Sequence, residues 1–183
     1  MSPGSSSRAG RDSRRQAKAG VRRTRARIAR PLRGESPNST VLFGALPAEL
    51  RFSPTERRAL TSFARTLSRQ VAAGKAFDCL LADDRELRRL NLAFLGNDYP
   101  TDVLSFPNET ALGEIAISVE RADAQARSFG HARMDEIRIL MLHGLLHLAG
   151  MDHENDSGEM ANAEAHWREQ FGLPRTLIAR TVA

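Results

Sequence analysis

A chain of 183 residues has room for one domain, or one domain with a tail, and its 41% hydrophobic content is enough for one core. The net charge of +5 conceals a split. Residues 1–34 hold eleven Lys/Arg against one acid, whereas residues 35–183 hold sixteen against twenty-one, a basic tail of +10 on a body of −5. Cys79 stands alone, which excludes an internal disulfide, and the longest apolar stretch, around Ile139–Leu142, is far below the roughly 20 residues of a membrane span. With no apolar run behind the N-terminal arginines to read as a secretory signal, the chain is expected to be soluble, cytoplasmic and free of membrane.

Residues 1–36 are rich in Ser, Ala, Gly and Arg and have too little to bury to offset their ordering entropy, so a disordered extension is expected there. Three readings of it stand: a solvated segment without a specific role, an electrostatic arm for RNA, or an organelle transit peptide. The few large apolar residues in Val21–Ile28 disfavour the last.

In the body, Thr40–Phe43 is β-prone. Ser53, Pro54 and Glu56 form a helix start, followed by Leu60, Phe63, Ala64, Leu67 and Val71 at helical spacing up to Gly74. Phe77–Ala82 reads as a short buried strand. Asp83 and Glu86 open a second helix with an inner stripe of Leu87, Leu90 and Phe94, closed by Gly96. After the break at Asn97–Pro100, Val103–Phe106 is a strand stopped by Pro107, and Glu114–Val119 alternates as another. Helices follow at about Arg121–Phe129, Met134–Leu148 and Ser157–Phe171. The last is capped by Asp156 with Glu159 and faces inward through Met160, Ala163, Trp167 and Phe171. The order β-α-β-α-β-β-α-α-α predicts an α+β domain over residues 37–183, a small mixed sheet with helices packed on it. Cys79, on the second strand, and Trp167 read as packing residues.

Three of the five histidines lie within eleven residues, His143-Gly144-Leu145-Leu146-His147-Leu148-Ala149-Gly150-Met151-Asp152-His153. His143 and His147 share one face of an apolar helix, Gly150 can turn the chain back, and His153 then supplies a third nitrogen. Three His ligands leave a fourth position open, the arrangement of a catalytic zinc and not of a closed structural one. The alternative is hydrogen-bonded core histidines, but burying two imidazoles without a partner is costly, and a metal removes that cost. The spacing equals that of metzincin proteases, yet Gly144 stands where those enzymes carry the Glu that serves as general base, so peptide hydrolysis is disfavoured.

His143–His153 resembles the hallmark of the YbeY family of metal-dependent endoribonucleases. Leu90-Asn91 with Pro100-Thr101-Asp102-Val103-Leu104-Ser105-Phe106-Pro107 resembles a second segment of that family, and Leu112-Gly113-Glu114-Ile115 is similar to its L-G-D-I strand, with Glu for the usual Asp. The resemblance covers residues 76–172. It implies a metalloprotease-like (zincin-like) α+β fold and one zinc per chain on His143, His147 and His153. It also implies cleavage of single-stranded RNA in maturation of the small-subunit (16S) rRNA 3′ end and in ribosome quality control. The small ribosomal subunit, its proteins or an assembly GTPase are the implied partners. The chain departs from the family at Leu95, where an Arg is usual; Arg85, Arg88 or Arg89 on the preceding helix offers a substitute cation. A non-catalytic, zinc-containing ribosome assembly factor is the alternative that Leu95 favours.

Thr101, Asp102 and Ser105 read either as a groove wall beside the metal or as turn residues. Asp152 reads as an orienter of a ligand imidazole or as a cap of the turn after Gly150. Glu164 reads as a solvated helix edge in preference to a residue facing the metal cleft, and His131 and His166 as surface residues.

Overall fold

Strand β1 (Thr40–Phe43) pairs in parallel with β2 (Phe77–Ala82), and β2 pairs in parallel with β4 (Gly113–Ser118). Strand β3 (Val103–Pro107) lies antiparallel to β4 with Ser105 opposite Ile115, giving a mixed sheet in the order β1-β2-β4-β3. The computed structural model describes residues 38–108, 111–152 and 156–175, so the extension expected over 1–36 lies outside the described residues. Among those described, the helices are α1 (Pro54–Gln70), α2 (Asp84–Leu95), α3 (Val119–Phe129), α4 (Arg133–Leu148) and α5 (Glu159–Gln170), with a single 3₁₀ turn at Ala48–Leu50. The architecture is the α+β class expected, and none of these helices is long and apolar enough to cross a membrane.

The helix starts follow from their side chains. The Ser53 N–H donates to Glu56 Oε2 (2.8 Å) and the Glu56 N–H to Ser53 Oγ (3.2 Å), a reciprocal box at the head of α1. Asp83 accepts from the Glu86 N–H (2.9 Å) at α2, which ends where Gly96 takes a left-handed φ of 78°. Asp156 caps α5 from two residues before its geometric N-cap, accepting from the Gly158 and Met160 N–H groups (2.8 Å each).

Strand alternation distributes apolar side chains to both faces of the sheet. Phe77, Cys79, Leu81, Ile115 and Ile117 join α1 and α4 in the main core; Leu80, Ala82, Leu104 and Ala116 meet Leu87 and Leu90 of α2 on the other face. Each fully buried Leu contributes about 2 kcal/mol. Helix α4 is apolar nearly all round and packs against β3, β4, α1, α3 and α5. The β3 edge is blunted: the Asp102 carboxylate accepts from the Val103 N–H (2.9 Å), and Pro107 has no N–H to offer.

His131 is not the surface residue expected. Its side chain is 9% exposed and its Nε2 lies 2.6 Å from Glu136 Oε2, a carboxylate with no exposure in the first turns of α4. Burying Glu136 under the helix requires a polar partner, and the turn after α3 delivers His131 to it. His166 is exposed, as expected.

Two outcomes follow. Burial pushes the Cys79 thiol well above its ordinary pKa, so thiol reagents at pH 8 should modify it only on unfolding, as read by mass spectrometry with and without urea. His131→Ala should lower stability by about 2 kcal/mol in urea denaturation, because it removes the 2.6 Å partner of a buried carboxylate.

Candidate metal centre

The functional helix is held against the sheet at its glycine. A Cβ on Gly144 would lie 2.9 Å from Ile115 Cγ2 and 3.0 Å from Ser105 Oγ, and Ser105 Oγ–H donates to the Gly144 carbonyl (3.1 Å). No side chain fits between α4 and the β3–β4 pair. Gly144 therefore answers a steric demand at the position where a protease-type helix would carry its base.

His143 and His147, one turn apart on α4, are half-buried. Their rings meet edge to face, with centroids 4.7 Å apart. His143 Nδ1 is 2.8 Å from Glu164 Oε2 on α5, and His147 Nδ1 is 3.1 Å from the Met151 carbonyl in the turn after α4. A carboxylate and a carbonyl can only accept here, so each Nδ1 carries the hydrogen and each Nε2 presents a lone pair. The two Nε2 atoms face each other at 3.2 Å. Two nitrogens at about 2.05 Å from one tetrahedral ion stand about 3.3 Å apart, so the spacing of the donor pair matches that of two ligands on a zinc-like ion. Two facing lone pairs at this distance need a shared cation or proton between them.

His153, the third expected ligand, lies outside the described residues. Among the described residues, no group of three His, Cys, Asp or Glu side chains is placed to hold a metal ion. The Asp152 backbone carbonyl accepts from the Asp156 N–H (3.0 Å), just ahead of α5.

Thr101 and Asp102 hold the segment that leads into β3. Beyond the Val103 N–H, the Asp102 carboxylate accepts from Thr101 Oγ1 (3.3 Å) and Gln125 Nε2 of α3 (3.0 Å), and its carbonyl accepts from the Ser118 N–H (2.8 Å). Ser105, two residues on, is the member of the trio that touches the helix bearing the histidines.

Glu164 departs from the preferred sequence reading and takes the alternative side, toward His143. It is not a solvated edge: its side chain is 14% exposed, one carboxylate oxygen meets His143 and the other is ion-paired with Arg168, itself 8% exposed. Glu164 and Arg168 stand at i,i+4, one position off the inward stripe of α5, and that spacing was the available signal. Only the docking of α5 on α4 turns the pair toward His143.

On α2, Leu95 is 61% exposed. Arg88 is held bidentately by Asp98 (2.8 Å twice) and Arg89 by Glu86 (2.7 and 2.6 Å), while Arg85 is 88% exposed beside Asp83. Of the three substitute cations, Arg85 is the most accessible to a phosphate.

A family model described as Endoribonuclease YbeY matches residues 50–172. An Endoribonuclease YbeY of Solibacter usitatus is 54% identical over 143 residues, covering 78% of this chain and 94% of the relative. One from Nautilia profundicola is 48% identical over 110 residues, covering 58% and 79%. The solution structure of TM1509 from Thermotoga maritima superposes with a TM-score of 0.53 at 27% identity, covering 73% of this chain and 89% of that one.

Gly144→Ala should cost about 1–2 kcal/mol, since the new methyl must displace Ile115 or Ser105. Urea denaturation of the variant measures it. Gly144→Glu should fail to fold and should not acquire protease activity.

Proposed function

This chain belongs to the endoribonuclease YbeY family, and from that membership we propose that it is a metal-dependent endoribonuclease that cuts single-stranded RNA, acting on the small-subunit rRNA 3′ end and in ribosome quality control. The observation that carries the metal dependence is the facing Nε2 pair of His143 and His147 at 3.2 Å, with both Nδ1 atoms already engaged by acceptors. His143 and His147 would hold the ion, with His153 as the third ligand that the family pattern supplies. When bound, zinc or another divalent ion supplies Lewis-acid polarisation of a phosphoryl oxygen and acidification of water.

The protein's own groups then have defined tasks. Glu164 and the Met151 carbonyl keep the imidazole hydrogens on Nδ1. Gly144 brings the helix to the sheet and leaves its position without a proton acceptor, which argues for phosphodiester over peptide hydrolysis. Ser105 contributes to the wall of the cleft; Thr101 and Asp102 hold that wall in register, and Asp152 would orient a ligand imidazole. No side-chain nucleophile is assigned. Arg85 offers a cation for the RNA backbone, and the basic residues 1–34 add sequence-independent attraction to a body that is otherwise net acidic. We place the protein in the cytoplasm with the small ribosomal subunit as its partner.

The exposed Leu95 favours a second reading, a zinc-containing assembly factor that binds without cutting. The two separate in one experiment. Purified protein and its His143→Ala/His147→Ala variant are stripped, reloaded with zinc or manganese, and incubated with labelled single-stranded RNA carrying the small-subunit rRNA 3′ end. Metal-dependent cutting is expected in the wild type alone, with casein left intact. Tight binding of one zinc without cleavage would shift the reading to the assembly factor, with Leu95→Arg as the next variant. Removing residues 1–34 should weaken RNA binding and flatten its salt dependence; an unchanged slope in a filter-binding titration would exclude the tail as a source of affinity.

A further inference from the structure

We propose that Glu164 and Arg168 are a positioning pair for the metal centre, setting the aim and donor strength of His143 from a separate helix; this rests on the reading of His143 and His147 as metal ligands. The two histidines are oriented by unlike groups. His147 Nδ1–H meets a neutral backbone carbonyl, whereas His143 Nδ1–H meets a carboxylate at 2.8 Å. The carboxylate is bound on both sides: Oε2 receives the imidazole and Oε1 the Arg168 guanidinium, with side-chain exposures of 15%, 14% and 8% for His143, Glu164 and Arg168.

The pair is costly to bury for any purpose other than the histidine. A buried Glu–Arg pair gains little over apolar packing, and α5 already docks through Met160, Ala163, Trp167 and Phe171. What the carboxylate adds is a charged acceptor that fixes the tautomer, turns the ring and makes Nε2 a stronger donor. Arg168, one turn further along α5, holds the carboxylate in the orientation that meets His143. Docking of α5 on α4 thereby becomes part of metal binding.

An amide at position 164 has one acceptor and one donor end, so Gln cannot satisfy both the imidazole N–H and the guanidinium. Glu164→Gln in the full chain should therefore bind zinc roughly 10- to 100-fold more weakly by chelator competition. The visible bands of the cobalt(II)-loaded protein should shift, and the urea midpoint of the metal-free protein should fall because Arg168 loses its charged partner, so the spectral shift is the readout that a merely structural role would not move. Arg168→Gln should lose affinity in the same direction by less. Glu164→Gln with unchanged zinc affinity and cobalt spectrum, beside a His143→Ala control that loses both, overturns the proposal and leaves the metal reading intact. A wild type that takes up neither zinc nor cobalt overturns both. If Glu164→Gln does not fold, Arg168→Gln decides alone: weaker zinc binding sustains the proposal, and wild-type affinity ends it.

Discussion

The closeness with which α4 lies on the sheet governs the rest of the molecule. At Gly144 the helix backbone reaches the β3–β4 pair so nearly that a single methyl group would collide with Ile115 and Ser105, and Ser105 fixes the contact with a hydrogen bond to the Gly144 carbonyl. Interiors packed to crystal density do not yield to such an intrusion without moving a neighbour. The roll of α4 is therefore set at this residue, and with it the direction in which His143 and His147 leave the helix. The same glycine leaves the helix without a proton acceptor beside the histidines. A packing demand and a chemical restriction coincide at one position.

The polar groups of the site are distributed so that no one element completes it. Helix α4 supplies two imidazoles, the turn behind it supplies the Met151 carbonyl, and α5 supplies Glu164 with Arg168. Asp156 donates its N–H to the Asp152 carbonyl and caps α5 through the Gly158 and Met160 N–H groups. The loop and the helix that orient the two rings are thus joined to each other as well as to α4. Across the sheet, Asp102 joins β3, β4 and α3 through its carboxylate and carbonyl, and holds the strand whose Ser105 meets Gly144. The polar groups around α4 thus form two hubs, Asp102 ahead of β3 and Glu164 on α5.

The charge distribution divides the labour differently. The folded body is net acidic, and on α2 two of three neighbouring arginines are committed to Asp98 and Glu86. Arg85 is 88% exposed with only a 3.6 Å pair to Asp83, and residues 1–34 carry a net charge of +10. Counterion release makes the contacts of such cations with a polyanion strong at low salt and insensitive to sequence.

The local grammar of the chain was legible from its residues. The capping box at Ser53, the Asp83 start, the Gly96 stop and the apolar stripes placed most strand and helix ends to within a residue or two, the C-terminus of α1 at Gln70 falling short of the expected stop at Gly74, because these signals act over one or two turns and need no distant partner. The spacing of His143 and His147 also gave their common face, a consequence of helical periodicity alone. Contacts between elements were not legible. His131 read as a surface residue until the turn after α3 brought it to the buried Glu136, and Glu164 read as solvated until α5 docked with it against His143. The parallel pairing of β1, β2 and β4, and the edge position of β3, likewise depend on which surfaces meet across the core. Sequence by itself determined the types of groups available and their local spacing; tertiary structure decided which of them are buried, and burial is what turns a hydrogen bond between a carboxylate and an imidazole from a weak surface contact into a fixed orientation.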